Sequence, residues 1–140
     1  ATCTSGTTWT RGNRGSTAMN PGRACIACHN GDPEAPIMDI AGTVFPTGHE
    51  PDLCNGTVPN GGSATVQITD AKGVVLRLPV NAAGNFMHET LTPFTPPYTA
   101  VVISGTKRRA MSTPQTNGDC NSCHTQNGTS GAPGRITLPF

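Results

Sequence analysis

The residues able to do chemistry fall into two copies of one pattern. Cys25-Ile26-Ala27-Cys28-His29 and Cys120-Asn121-Ser122-Cys123-His124 are both Cys-x-x-Cys-His, the second beginning 95 residues after the first. Two thiols at this spacing can each bond one vinyl group of a porphyrin, and the adjoining imidazole then reaches the iron as an axial ligand. A four-cysteine zinc site is one alternative, but its two pairs usually stand about 15–20 residues apart. Such a site also has no use for a His after each pair. Dithiol redox chemistry wants a thioredoxin-like βαβ context, and no such pattern is visible. The expected cofactor is therefore haem c, two per chain, held at Cys25, Cys28 and His29 and at Cys120, Cys123 and His124.

Each iron needs a sixth ligand unless it binds substrate. The chain has four histidines, and the two outside the motifs, His49 and His88, supply one for each iron. Met19 and Met111, each a few residues before the first cysteine of a motif, are the alternatives. Thioether ligation raises the potential, although Met more often fills core space. Glu50 and Asp52 flank His49 and are expected to hydrogen-bond its ring. His88 alternates with Phe86 and so shares its face of a strand. Cys3 and Cys54 are left over; in an oxidising compartment they would pair and clamp the loop that carries His49. No close carboxylate pair, nucleophile elbow, phosphate loop or metalloprotease motif stands out, so the chain is not expected to be an enzyme.

The two pentapeptides resemble the attachment sites of c-type cytochromes. The resemblance covers the motifs alone, because a chain this rich in Pro and Gly cannot supply the flanking helices of the small helical cytochromes. It implies export as an unfolded chain, haem attachment outside the cytoplasm and a reducible iron at each site. In small size, irregular loops, haem density and His ligation the chain is also similar to the subunits of extracellular cytochrome filaments. The implied function is electron transfer with redox partner proteins or an extracellular acceptor, at the cell surface or beyond it, with the periplasm as the alternative. Copies are expected to assemble into a homo-oligomer or filament. Two other classes compete: a di-haem peroxidase or reductase, which needs an open polar distal pocket, and a cell-surface binding module carrying haems as accessories.

What must position these groups is a chain of 140 residues with a sparse core, since Leu, Ile, Val and Phe number only 23. So few would suggest disorder in a highly charged chain, but the net charge is +1. Two macrocycles would supply the missing apolar mass. Charged residues make up 12%, about half the roughly 25% usual for a globular domain, and such a surface resists self-association poorly. Lys107, Arg108 and Arg109 are the only basic cluster, so no nucleic acid partner is expected. No run approaches the roughly 20 apolar residues of a membrane span. The first residue, Ala1, is read as the start of a mature form after cleavage.

Turn residues and β-branched runs predict a mainly β fold with little helix. Candidate strands are 40–45, 64–69, 74–80, 85–87, 98–103 and 107–111, with a Pro-rich link (Pro93, Pro96, Pro97) before the fifth. Gly42-Thr43-Val44, the run 64–70, Gly73 and Asn85-Phe86 resemble carboxypeptidase-regulatory-like and prealbumin-like domains, which implies a small Ig-like β-sandwich over about half the chain. The expected organisation is an arm with the first motif (1–39), the sandwich (40–112) and an arm with the second motif (113–140). The segment 135–138 could add to an exposed sheet edge of a neighbouring copy. If the strands form a simple meander, His49 lies at the end away from both arms and would ligate a haem of the next subunit.

Overall fold

The computed structural model describes residues 3–56, 64–89, 94–111 and 113–139. Pro93, in the predicted link, lies outside them. The chain is mainly β, with seven strands among the described residues: β1 Met38–Phe45, β2 Ala64–Thr69, β3 Val75–Pro79, β4 Asn85–Glu89, β5 Thr99–Ser104, β6 Lys107–Ala110 and β7 Ile136–Thr137. They build two sheets, one ordered β4-β1-β7 and the other β3-β2-β5-β6. This order is not a meander. One helix, α1 Cys25–Asn30, and a 3₁₀ turn at Cys120–Ser122 carry the two motifs.

Local sequence explains most of these elements. In β2 the alternation of ATVQIT turns Ala64, Val66 and Ile68 inward, the period of a half-buried strand. β1 is buried along nearly its whole length, so both of its faces are covered. Ile40 and Val44 join Phe86, Val66, Ile68, Leu78 and Val102 in one core cluster drawn from both sheets. Thr43, also in β1, instead meets both arms. Its hydroxyl accepts from Gly22 N (2.9 Å) and donates to Asn85 Oδ1 (2.8 Å).

The C-terminal arm completes the first sheet. β7 pairs in parallel with β1, Val44 opposite Ile136 and Phe45 opposite Thr137. The segment expected at the edge of a neighbouring copy thus adds to the edge of its own β1. Just upstream, Ala41 N donates to Gly118 O (3.0 Å). Gly118 is needed there because a Cβ would collide with the Asp39 carbonyl. Cys3 and Cys54 form a disulfide, as the cysteine count predicts.

The β2–β3 hairpin turns on Asp70, which is 6% exposed. Its carboxylate accepts from Thr95 N, Val74 N and Lys72 N at 2.8–2.9 Å. These N–H groups, Thr95 foremost, outweigh desolvation and hold the carboxyl below its ordinary range. A depressed native pKa stabilises the fold above the unfolded value and loses that contribution as pH falls through the native value. Asp70→Asn should therefore lower the urea midpoint at about pH 7, and the difference from wild type should shrink by about pH 2.5. An undiminished difference in acid would trace the effect to shape rather than charge.

Candidate functional site

Each motif is wound into a single turn that brings its two cysteines and histidine together. In α1, Cys25, Cys28 and His29 stand at i, i+3 and i+4, which share one helix face; Gly31 N closes the helix onto Cys28 O (3.1 Å). In the second motif Cys123 N and His124 N both donate to Cys120 O, at 3.2 and 2.9 Å. The four motif cysteines are free thiols, in contrast to Cys3 and Cys54. Six residues give α1 too little length for a readable period, so the sequence carries no helix signal there.

The fold locks these two turns against each other. Asn121, between the cysteines of the second motif, is 2% exposed. Its Nδ2 donates to Arg23 O (2.9 Å) and Thr43 Oγ1 (3.0 Å) and reaches Cys25 Sγ (3.8 Å). Its Oδ1 accepts from Thr43 N (3.0 Å). The preceding Asp119 accepts from Ala27 N (3.0 Å), inside the first motif. Motifs 95 residues apart in sequence are thus neighbours in space.

Three of the four imidazoles donate Nδ1–H to a backbone carbonyl: His29 to Pro36 O (2.8 Å), His124 to Gly134 O (2.9 Å) and His49 to Gln126 O (2.7 Å). A carbonyl only accepts, so Nδ1 carries the proton and the neutral ring keeps its lone pair on Nε2. This is the tautomer of a metal-ligating His whose other nitrogen is anchored. His88 Nδ1 meets Asp39 Oδ1 at 2.6 Å, an orienting carboxylate that nothing in the sequence singles out. Two further expectations are corrected. Glu50 accepts from Thr4 N and Thr47, and Asp52 pairs with Arg135, so neither carboxylate holds His49. His49 also stands beside the second motif of its own chain, because the non-meander order returns the C-terminal arm to it. Its ring lies over Gly134, where a Cβ would come within 3.1 Å.

Beside the second motif lies a cavity of about 600 Å³, with Cys120, Cys123 and His124 in its wall. Its volume falls within the roughly 300–1,000 Å³ of ligand and cofactor sites. Val66, Ile68, Phe86, Tyr98 and Ile136 give it an apolar lining, and Met111 also contributes. Met19 instead sits in the first arm, its carbonyl accepting from Asn85 Nδ2 (2.9 Å).

Electrostatics bear on the competing chemistries. Burial first, and then the Asp119 carboxylate, push the Cys25 thiol up to about 11 and the Cys120 thiol up to about 12. Thiols that stay protonated are poor nucleophiles and poor ligands for a bare metal ion. Among the described residues no three His, Cys, Asp or Glu side chains are grouped to hold one. Set against family models, curated proteins and solved structures, the chain matches none.

Removing Asn121 tests the lock between the motifs. Asn121→Ala leaves the buried Thr43 N–H and the Arg23 carbonyl without their partner. Each lost partner costs about 1–3 kcal/mol, so urea denaturation should register a loss of about 2–6 kcal/mol in all. A change near zero would mean that water replaces the amide and the motifs are held together elsewhere.

Proposed function

We propose that this chain binds two haems covalently, at Cys25/Cys28/His29 and at Cys120/Cys123/His124, and serves in electron transfer rather than in substrate turnover. The observation that carries the proposal is the juxtaposition of the two Cys-x-x-Cys-His turns, with Asn121 of one reaching Cys25 of the other. A covalent haem supplies a reversible one-electron ferric/ferrous couple. Two such couples side by side give an electron a way in and a way out. An isolated pair of motifs on opposite faces of the chain would give neither.

The chain's own residues fit this cofactor. Free thiols stand at the vinyl-bonding spacing, and the anchored rings of His29 and His124 present Nε2 as the ligating nitrogen. The apolar cavity beside Cys120 and Cys123 suits a large flat macrocycle. His49 and His88 are the proposed sixth ligands, each ring oriented through Nδ1. Met111 competes at the second site because it lines the same cavity as His124.

Two features bear on where the chain works. A Cys3–Cys54 disulfide belongs in an oxidising compartment, and among the described residues no helix is long and apolar enough to cross a membrane. An exported, extracellular setting follows as part of the proposal. The electron donor and acceptor are then redox centres of partner proteins or of further copies of the chain. Assembly of copies is in keeping with a surface of such low charge, and negative-stain imaging of the purified protein tests it.

The native protein should carry the mass of two haems and keep both in a denaturing gel. Cys28→Ala or Cys123→Ala should leave one of them with a single thioether link and easily lost. His49→Ala and His88→Ala should each turn one low-spin iron high-spin. A Met–iron charge-transfer band in the wild type, abolished by Met111→Ala, would give the second site to Met111. A zinc-containing protein without a Soret band would sink the proposal.

A further inference from the structure

Asp119 is buried, only 6% exposed, yet its Oδ1 has no hydrogen-bond partner. The rest of the residue is fully engaged. Oδ2 accepts from Ala27 N (3.0 Å), the carbonyl accepts from Ser122 Oγ (2.6 Å), and the backbone bridges to Ala41 in β1. The carboxylate is therefore held in place by both motifs and by the sheet, and it cannot swing out to water. It also lines the cavity beside the second motif. An unpaired buried charge is costly unless an opposite charge lies near it. Among the described residues no ion pair involves Asp119.

The field of this carboxylate reaches both motifs. After burial, it is the next cause of the raised pKa at Cys25 in the first motif and at Cys120 in the second. One fixed negative charge is thus felt at both attachment points. At each motif the oxidised iron is one unit more positive than the reduced iron. A buried carboxylate nearby therefore favours oxidation, and net charge and burial are among the levers that set haem potentials.

We propose that Asp119 is a positioning residue for electron transfer, a single buried carboxylate that lowers the reduction potentials of both haem centres together. The inference rests on the two-haem reading above. By reciprocity, the oxidised centres supply positive charge opposite an Oδ1 that has no hydrogen-bond partner among the described residues.

The test is a spectroelectrochemical titration of the full haem-loaded protein, wild type against Asp119→Asn, with dithionite as the one-electron donor. Asn keeps a carbonyl oxygen for Ala27 N and removes only the charge. Both centres should become easier to reduce, each by about ten-fold in its equilibrium constant, which is about 59 mV for a one-electron couple. The low-spin spectra and the urea midpoint should stay as in the wild type. Asp119→Ser, a smaller neutral acceptor, should shift both potentials the same way and serves if the Asn variant folds poorly. Two unchanged potentials, or a shift confined to one centre, would overturn the shared role while leaving the two-haem reading intact. A wild-type protein without haem would overturn both.

Discussion

The guanidinium of Arg135 is the constraint on which the rest of the arrangement depends. It is buried, 4% exposed, and each of its three nitrogens donates. Nε donates to Glu50 O (2.8 Å), Nη1 to Gly22 O (2.9 Å) and to His124 O (3.3 Å), and Nη2 to Asp52 Oδ1 (2.6 Å). Its Cζ sits over the Phe45 ring, 4.9 Å from the centroid, as a cation–π contact. One side chain thus ties the first arm, the loop after β1 and the His124 end of the second motif to the core. A lysine has neither the fork nor the plane to do this. The charge is tolerated because Asp52 pairs with it and four other contacts replace water. Arg135 N also donates to Gly48 O (2.7 Å), which fixes the residue beside His49.

The sequence was legible wherever a pattern is written in consecutive residues. Cys-x-x-Cys-His reads directly, and subtracting its four cysteines leaves only Cys3 and Cys54 to pair. Strand β2 reads just as directly, because ATVQIT keeps its period of two over all six residues. What failed to read is whatever depends on distant partners. β7 is two residues long and exists only because β1 offers it an edge. The carbonyls of Pro36, Gln126 and Gly134 anchor three imidazoles, and backbone groups leave no mark in a sequence. Asp39 and Asn121 look like ordinary loop and motif filler until the fold brings them to His88 and Cys25. Glu50 and Asp52 misled because adjacency to His49 in sequence is weaker than the demands of Thr47 and Arg135 in space.

Sparse apolar composition and the cavity are two sides of one fact. With only 23 Leu, Ile, Val and Phe residues in 140, the two sheets close over a small core and leave beside it a space partly walled by core side chains. Tyr98 and Phe86 belong to both, being buried in the core cluster and part of the cavity wall. Filling that space with a rigid apolar group would extend the core without adding side chains. Packing of this kind links occupancy of the cavity to stability of the whole domain. The arms then do the work that flanking helices do elsewhere, through hydrogen bonds to Thr43 and Asn85 rather than through helix faces.

The Cys3–Cys54 bond has a topological consequence. It closes a covalent ring spanning 51 residues of sequence, and the whole first motif lies within that ring. Residues 10–17 are exposed without interruption and include Arg11 and Arg14, so this stretch is where a trypsin-like protease would cut. A single cut there opens the ring but releases nothing. The nicked chain remains one molecule: α1 stays joined through the peptide running on into β1, and the sulfur bridge keeps the severed N-terminal piece on Cys54. A cut on that surface would then cost the chain a peptide bond and no part of its mass.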